Sequence, residues 1–117
     1  MNPGFRLCHL DELPELGSRG FDPHGQGRNS IFLVRRNNRV FAYRDSCPHQ
    51  GAHMAWRRDA YLNRARDRIV CHAHGAQFDL ESGECLLGPC LGESLTALAL
   101  TVKEDGTIYL SAGQWRG

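Results

Sequence analysis

The sequence predicts an all-β domain of antiparallel strands with a loop-rich insert near its middle. Two apolar runs flank the polar stretch Arg35-Arg36-Asn37-Asn38-Arg39, and a second pair flanks Asp105-Gly106. Both are hairpin signatures, because Asn, Asp and Gly accept the backbone of a tight turn. The 13 glycines and 5 prolines among 117 residues add many further turns, which favours short strands over long helices. The length fits one domain over residues 1–117, able to bury roughly two-thirds of its unfolded surface.

In chain order, residues 4–10 read as an opening strand. Residues 11–27 form a broken polar connector with one short strand near Arg19–Phe21. Residues 30–44 are the first hairpin. Residues 53–68, with five arginines and two aspartates, are the least β-like stretch and are compatible with a helical turn, anchored to the body by Trp56, Tyr61 and Leu62. Residues 68–72 and 76–80 are short strands on either side of His74-Gly75. Residues 81–85 turn into a brief strand at Cys85–Leu87. Residues 97–112 are the second hairpin, with Val102, Ile108, Tyr109 and Leu110 beside its turn.

Fourteen Lys and Arg stand against 13 Asp and Glu, a net charge of +1. That balance argues against a nucleic-acid binder, which carries a basic face. No basic start followed by an apolar run opens the chain, and no stretch approaches the roughly 18 apolar residues of a membrane span. The expected address is cytoplasmic, without nucleic-acid or membrane partners. There, cysteines more often bind metals or do chemistry than form structural disulfides.

Four of the ligand-type residues fall into two tight, glycine-containing loops. Cys47 and His49 are separated by one residue, a gap of 21 follows, and Cys71 and His74 are separated by two. Pro48 stiffens the first loop by fixing its φ. Zinc accepts two Cys and two His, but the usual small finger pairs like with like, whereas each loop here supplies one of each. A dinuclear iron–sulfur cluster explains the mixture, with sulfurs converging on one iron and imidazoles on the other.

The stretches Cys47-Pro-His-Gln-Gly-Ala52 and Cys71-His-Ala-His-Gly-Ala-Gln-Phe-Asp79 closely resemble the two cluster-binding boxes of Rieske proteins. Ser82–Cys90 resembles the run into that family's third, proline-containing loop. The resemblance spans roughly residues 5–112. It implies a Rieske-type antiparallel β-sandwich with an inserted cluster-binding subdomain, here about residues 46–90. It also implies a [2Fe–2S] cluster whose ligands are Cys47 and Cys71 on one iron and His49 and His74 on the other, with Gly88-Pro89 covering the cluster from the side. His72 directly follows Cys71, too close to reach a second iron. His53 reads as a neighbour of the site or as exposed, and His9 and His24 as surface or satisfied histidines.

Replacing two thiolates by neutral imidazoles removes two negative charges from around the cluster, so the reduced state costs less. Rieske potentials accordingly run from roughly −150 to +300 mV, against about −400 mV for plant-type ferredoxins. The high-potential members carry a disulfide between the boxes and hydroxyls that bond the cluster and ligand sulfurs. Here Ala52 and Ala73 stand at the disulfide positions, Ala76 at the serine and Phe78 at the tyrosine. The expected potential lies toward the low end.

The resemblance implies a soluble Rieske-type ferredoxin, a one-electron carrier that is not itself an enzyme. It would pass electrons from a reductase to a terminal redox enzyme such as an oxygenase, through transient contacts. A second reading is the small subunit of a nitrite reductase-type complex, and a third, less consistent with the mixed loops, is a structural zinc-binding module. An oxygenase in its own right would need a further mononuclear iron site, and fewer than thirty residues, none of them histidine, follow Cys90. Arg57, Arg58, Arg64, Arg66 and Arg68 between the boxes read either as a landing patch for an acidic partner or as a solvated insert. Cys8 reads as a buried thiol. Cys85 and Cys90 flank the third loop and could pair, shield the cluster or fill space.

Overall fold

The run Ile31-Phe32-Leu33-Val34 is apolar at every position, and all four side chains are fully buried. A strand can do that only with a packed layer on each face. The computed structural model, which describes residues 4–23, 25, 27, 29–46, 48, 59–71 and 75–111, shows both layers. Phe32 and Val34 point into one apolar cluster, and Ile31 and Leu33 into another. This is the two-residue period of a pleated strand.

Ten strands run through the described residues: β1 Phe5–His9, β2 Ser18–Phe21, β3 Ile31–Arg36, β4 Arg39–Arg44, β5 Arg68–Val70, β6 Gln77–Asp79, β7 Cys85–Leu87, β8 Ala97–Leu98, β9 Leu100–Val102 and β10 Thr107–Leu110. They form three sheets, ordered β1-β10-β9, β2-β3-β4-β8 and β5-β6-β7. Every paired neighbour is antiparallel. The four-stranded sheet is the central layer. Leu7, Cys8, Ile108 and Leu110 of the first sheet pack on its one face, and Ile69, Phe78 and Cys85 of the third on the other. The strands β4 and β8 are direct neighbours, Ala42 opposite Leu98, yet the whole β5-β6-β7 sheet lies between them in sequence. That sheet is therefore an insert into the base, as expected.

The first hairpin closes through a two-residue loop between Arg36 and Arg39, with Asn37 at φ 57°. The second differs from expectation. Its turn stands at Asp105-Gly106, with Gly106 at φ 94°, but its first arm is two strands rather than one. Residues Ala97–Leu98 pair with β4 in the central sheet, and after Ala99 residues Leu100–Val102 pair with β10 in the first. The chain changes sheet at that corner, a device by which packed sheets share a strand. Strand β1 carries a register shift between Arg6 and Cys8, so the consecutive residues Leu7 and Cys8 are both buried.

Among the described residues the only helix is a single 3₁₀ turn at Leu10–Glu12. His9 caps it: its Nδ1 accepts from the Asp11 amide at 3.1 Å, while Glu12 accepts from the His9 amide at 3.0 Å. The His9 Nε2 meets the carbonyl of Asp105, so this histidine is satisfied, as expected. The helical turn expected within 53–68 is absent from its described part, residues 59–68. There the Asn63 side chain accepts from the Asp67 and Arg68 amides at 3.0 and 3.1 Å, closing a reverse turn with Arg66 at φ 60°. An asparagine that bonds the backbone ahead of it competes with helix formation. Tyr61 and Leu62 anchor this stretch, Tyr61 fully buried and Leu62 packed beside it. Trp56 lies outside the described residues.

Candidate metal centre

The second box is the loop between β5 and β6. Cys71 follows Val70 directly, and Ala76 precedes Gln77. The Cys71 amide donates to the Ala76 carbonyl at 2.9 Å, and the Gly75 amide donates to the Cys71 carbonyl at 2.8 Å. Gly75 turns the loop at φ 70°. Both ends, Cys71 and Ala76, are fully buried, fixed by the Ile69–Phe78 pair of the sheet beneath. Cys71 forms no disulfide. A buried thiol held at the mouth of a short, hydrogen-bonded loop suits a thiolate ligand: its backbone is already placed, so little ordering remains when a metal binds.

The first box starts where β4 ends. Asp45 is buried, its amide donates to the Ser30 carbonyl at 2.9 Å, and its carboxylate accepts the Tyr61 hydroxyl at 2.8 Å. The Tyr61 ring stacks on Phe32 of β3, centroids 4.2 Å apart and 9° from parallel. Burial, then the neighbouring Asp45 carboxylate, pushes the Tyr61 phenol far above its ordinary range, so it stays a donor. The chain thus leaves the central sheet at Asp45 and returns at Tyr61 with the two ends joined side chain to side chain. Sequence reasoning marked Tyr61 as an anchor but missed Asp45. The signal was an acidic residue two positions before Cys47, at the end of an apolar strand.

The third loop follows β7. Gly88 at φ 112° lies so close to the second box that a Cβ there would meet the Ala76 Cα at 2.8 Å. A side chain at 88 would drive into the box from beside it. Cys85 and Cys90 are buried, with sulfurs 2.9 Å apart. Behind them, the Asp79 carboxylate accepts from the Glu81 and Ser82 amides at 3.0 and 2.8 Å, and Gly83 turns against the Tyr43 ring.

Of the four expected ligands, Cys71 stands in the position described, while Cys47, His49 and His74 lie outside the described residues. So do His24, His53, His72, Ala52, Ala73, Arg57 and Arg58. Among the described residues no group of three or more His, Cys, Asp and Glu converges on one point. Arg64 and Arg66 are exposed, and Arg68 is half-buried with its guanidinium on the Gln77 side chain at 3.0 Å. Cys8 is a buried thiol, as expected, and burial pushes its pKa up.

Three small antiparallel sheets, one of them carrying a cysteine loop and inserted in sequence between strands of the base, define an all-β class of protein. The Rieske [2Fe–2S] domain matches residues 5–110, and the chain belongs to that family. Its cofactor is the [2Fe–2S] cluster, which makes it an electron-transfer domain. No curated protein matches the chain. Solved structures share the fold. The ferredoxin of carbazole 1,9a-dioxygenase from Nocardioides aromaticivorans IC177 is 23% identical, with a TM-score of 0.68, covering 92% of this chain and 98% of that one. A complex of reduced oxygenase and oxidized ferredoxin in carbazole 1,9a-dioxygenase holds a chain 23% identical at TM-score 0.70, covering 90% and 98%. A protein provisionally designated nitrite reductase NADPH (small subunit) is 22% identical at TM-score 0.60, covering 91% and 96%. Among the described residues no helix is long and apolar enough to cross a membrane.

Proposed function

We propose that this chain is a soluble, cytoplasmic Rieske-type ferredoxin, one domain over residues 1–117 with a cluster-binding part at about 46–90. In this reading Cys47 and Cys71 hold one iron, and His49 and His74 hold the other. The observation that carries it is the family match over residues 5–110, in a chain whose sequence holds the two Cys/His pairs Cys47/His49 and Cys71/His74 inside that span. When bound, the cluster takes up and releases one electron. The chain's own residues hold and shield it. Cys71 is presented by its hydrogen-bonded loop, the Asp45–Tyr61 bond fixes the base of the first box, and Gly88 closes against Ala76.

The electron donor in this reading is a reductase and the acceptor a terminal oxygenase or similar redox enzyme. The fold likeness to a ferredoxin found in complex with its oxygenase supports that pairing. The likeness to the nitrite reductase small-subunit designation supports the alternative, a subunit of a larger reductase. Anaerobic purification tests both. A red-brown protein with two irons and two acid-labile sulfides per chain, and a rhombic EPR signal after reduction, is the expected result. A colourless protein with stoichiometric zinc overturns the cluster, and stable co-purification with a reductase subunit favours the alternative. Exchange of Cys71→Ser is expected to abolish the EPR signal.

A further inference from the structure

We propose that Cys85 and Cys90 form a reversible disulfide that locks the third loop against the second box. Their sulfurs lie 2.9 Å apart, and both residues are no more than 2% exposed. Non-bonded carbon atoms sit best at about 3.5–4.0 Å, and sulfur is larger, so two thiols that only filled space would stand further apart. The S–S bond is about 2.05 Å, which leaves roughly an ångström to close. The backbone already holds them in place. The Cys85 amide donates to the Glu93 carbonyl at 2.9 Å, and the Glu93 amide donates to the Cys90 carbonyl at 2.9 Å, closing the loop at its base. Glu84 and Ser94 pair just outside it.

The reaction requires a two-electron oxidant, and hydrogen peroxide fits. One thiol, as thiolate, attacks the O–O bond to give a sulfenic acid and releases the other oxygen as water. The second sulfur then displaces the sulfenic hydroxyl, also released as water. Two thiols lose two protons and two electrons, and the peroxide takes up both to become two waters. Access comes from the loop itself: Leu86, Leu87 and Leu91 are 39%, 52% and 64% exposed, so the buried sulfurs lie under a surface loop whose local opening admits a small molecule. Gly88, inside the loop, touches Ala76 of the second box. The disulfide therefore stiffens the covering of that box, a consequence that rests on the cluster reading above, whereas the disulfide itself does not.

The sequence supplies a clean assay. Cleavage after glutamate releases Cys85–Glu93, which contains these two cysteines and no other. Holoprotein treated with one equivalent of hydrogen peroxide, then denatured and alkylated with iodoacetamide without reductant, is expected to yield this peptide two hydrogens lighter and unalkylated. Dithiothreitol is expected to restore alkylation at both residues. Two alkyl groups after peroxide, or a sulfinic acid on either residue, overturns the disulfide. Visible absorbance is followed in parallel while a chelator strips iron from both forms. Slower bleaching of the disulfide form supports the lock, and equal rates overturn it. A sample without the cluster's absorbance refutes the cluster reading while leaving the peptide masses to decide the disulfide.

Discussion

The Tyr61 hydroxyl donates to the Asp45 carboxylate at 2.8 Å across a separation of sixteen residues in the chain. Both groups are buried, and the two residues bracket the first box and the first half of the arginine-rich stretch after it. Tyr61→Phe keeps the ring on Phe32 and removes only the hydroxyl, taking one donor from a buried carboxylate. The expected loss is about 1.5–3 kcal/mol, the range for a hydrogen bond to a charged group. Urea denaturation of holoprotein checks it, and an unchanged midpoint would show that the bond is not holding the loop.

Gly88→Ala places a Cβ 2.8 Å from the Ala76 Cα at a φ of 112°. Strained backbone of this kind costs of order 1–3 kcal/mol, and the neighbour that must move is backbone of the second box. The expected result is a lowered melting temperature together with a broadened EPR spectrum of the reduced protein. Gly92→Ala, where nothing lies within 4 Å of the added Cβ at φ 90°, carries the backbone strain without the collision. It is expected to lower the melting temperature but to leave the EPR spectrum unchanged.

The midpoint potential is expected toward the low end of the roughly −150 to +300 mV Rieske range, because Ala76 and Phe78 carry no hydroxyl. Both side chains are fully buried. The pair of exchanges Ala76→Ser and Phe78→Tyr is expected to raise the potential. Each hydroxyl that favours the reduced state by about 1.4 kcal/mol adds about 59 mV. Protein-film voltammetry reads the shift, and a wild-type value well above about +100 mV contradicts the expectation.

Stability is expected to fall at both pH extremes, for opposite reasons. Burial, then Asp79 and Glu81, pushes the Tyr43 phenol far up, and burial and Asp45 do the same for Tyr61. Both folded values lie above the unfolded value of about 10, so this stability is complete below about pH 10 and drains as pH rises past it, by up to about 1.4 kcal/mol per unit for each phenol. On the acid side, burial pushes Asp79 up, but hydrogen bonds from Ser82 and Glu81 outweigh it and hold the carboxyl below its usual range. That contribution is present above about pH 3.9 and is lost as pH falls through the lower folded value. Urea midpoints across pH, compared between wild type and Tyr43→Phe, check the alkaline arm. The variant is expected to lose less between about pH 10 and 11.

Turn chemistry and strand pattern were legible wherever they depend on neighbours in the chain. Asn37 at positive φ, Gly106 in its turn and the brief strand at Cys85–Leu87 stand where the residues placed them. The 3₁₀ turn after His9 was not legible, because the ring of its capping histidine is held by the Asp105 carbonyl, far away in sequence. Nor was the division of the last hairpin's first arm at Ala99: both halves read as one apolar run, and only their partners, Ala42 on one side and Leu110 on the other, assign them to different sheets.

The sequence by itself determined the class of this protein. The order and spacing of Cys47, His49, Cys71 and His74, with glycine and proline beside them, are properties of two short stretches of chain, and the family match over residues 5–110 agrees with the class they point to. What only the tertiary structure decided is how those stretches are supported: Asp45 on Tyr61, Gly88 on Ala76, and the sulfur of Cys85 against that of Cys90. These contacts arise from burial between layers that meet only after folding. The hydrophobic effect driving that burial is non-directional, so the sequence marks which residues go inside but not which of them will touch.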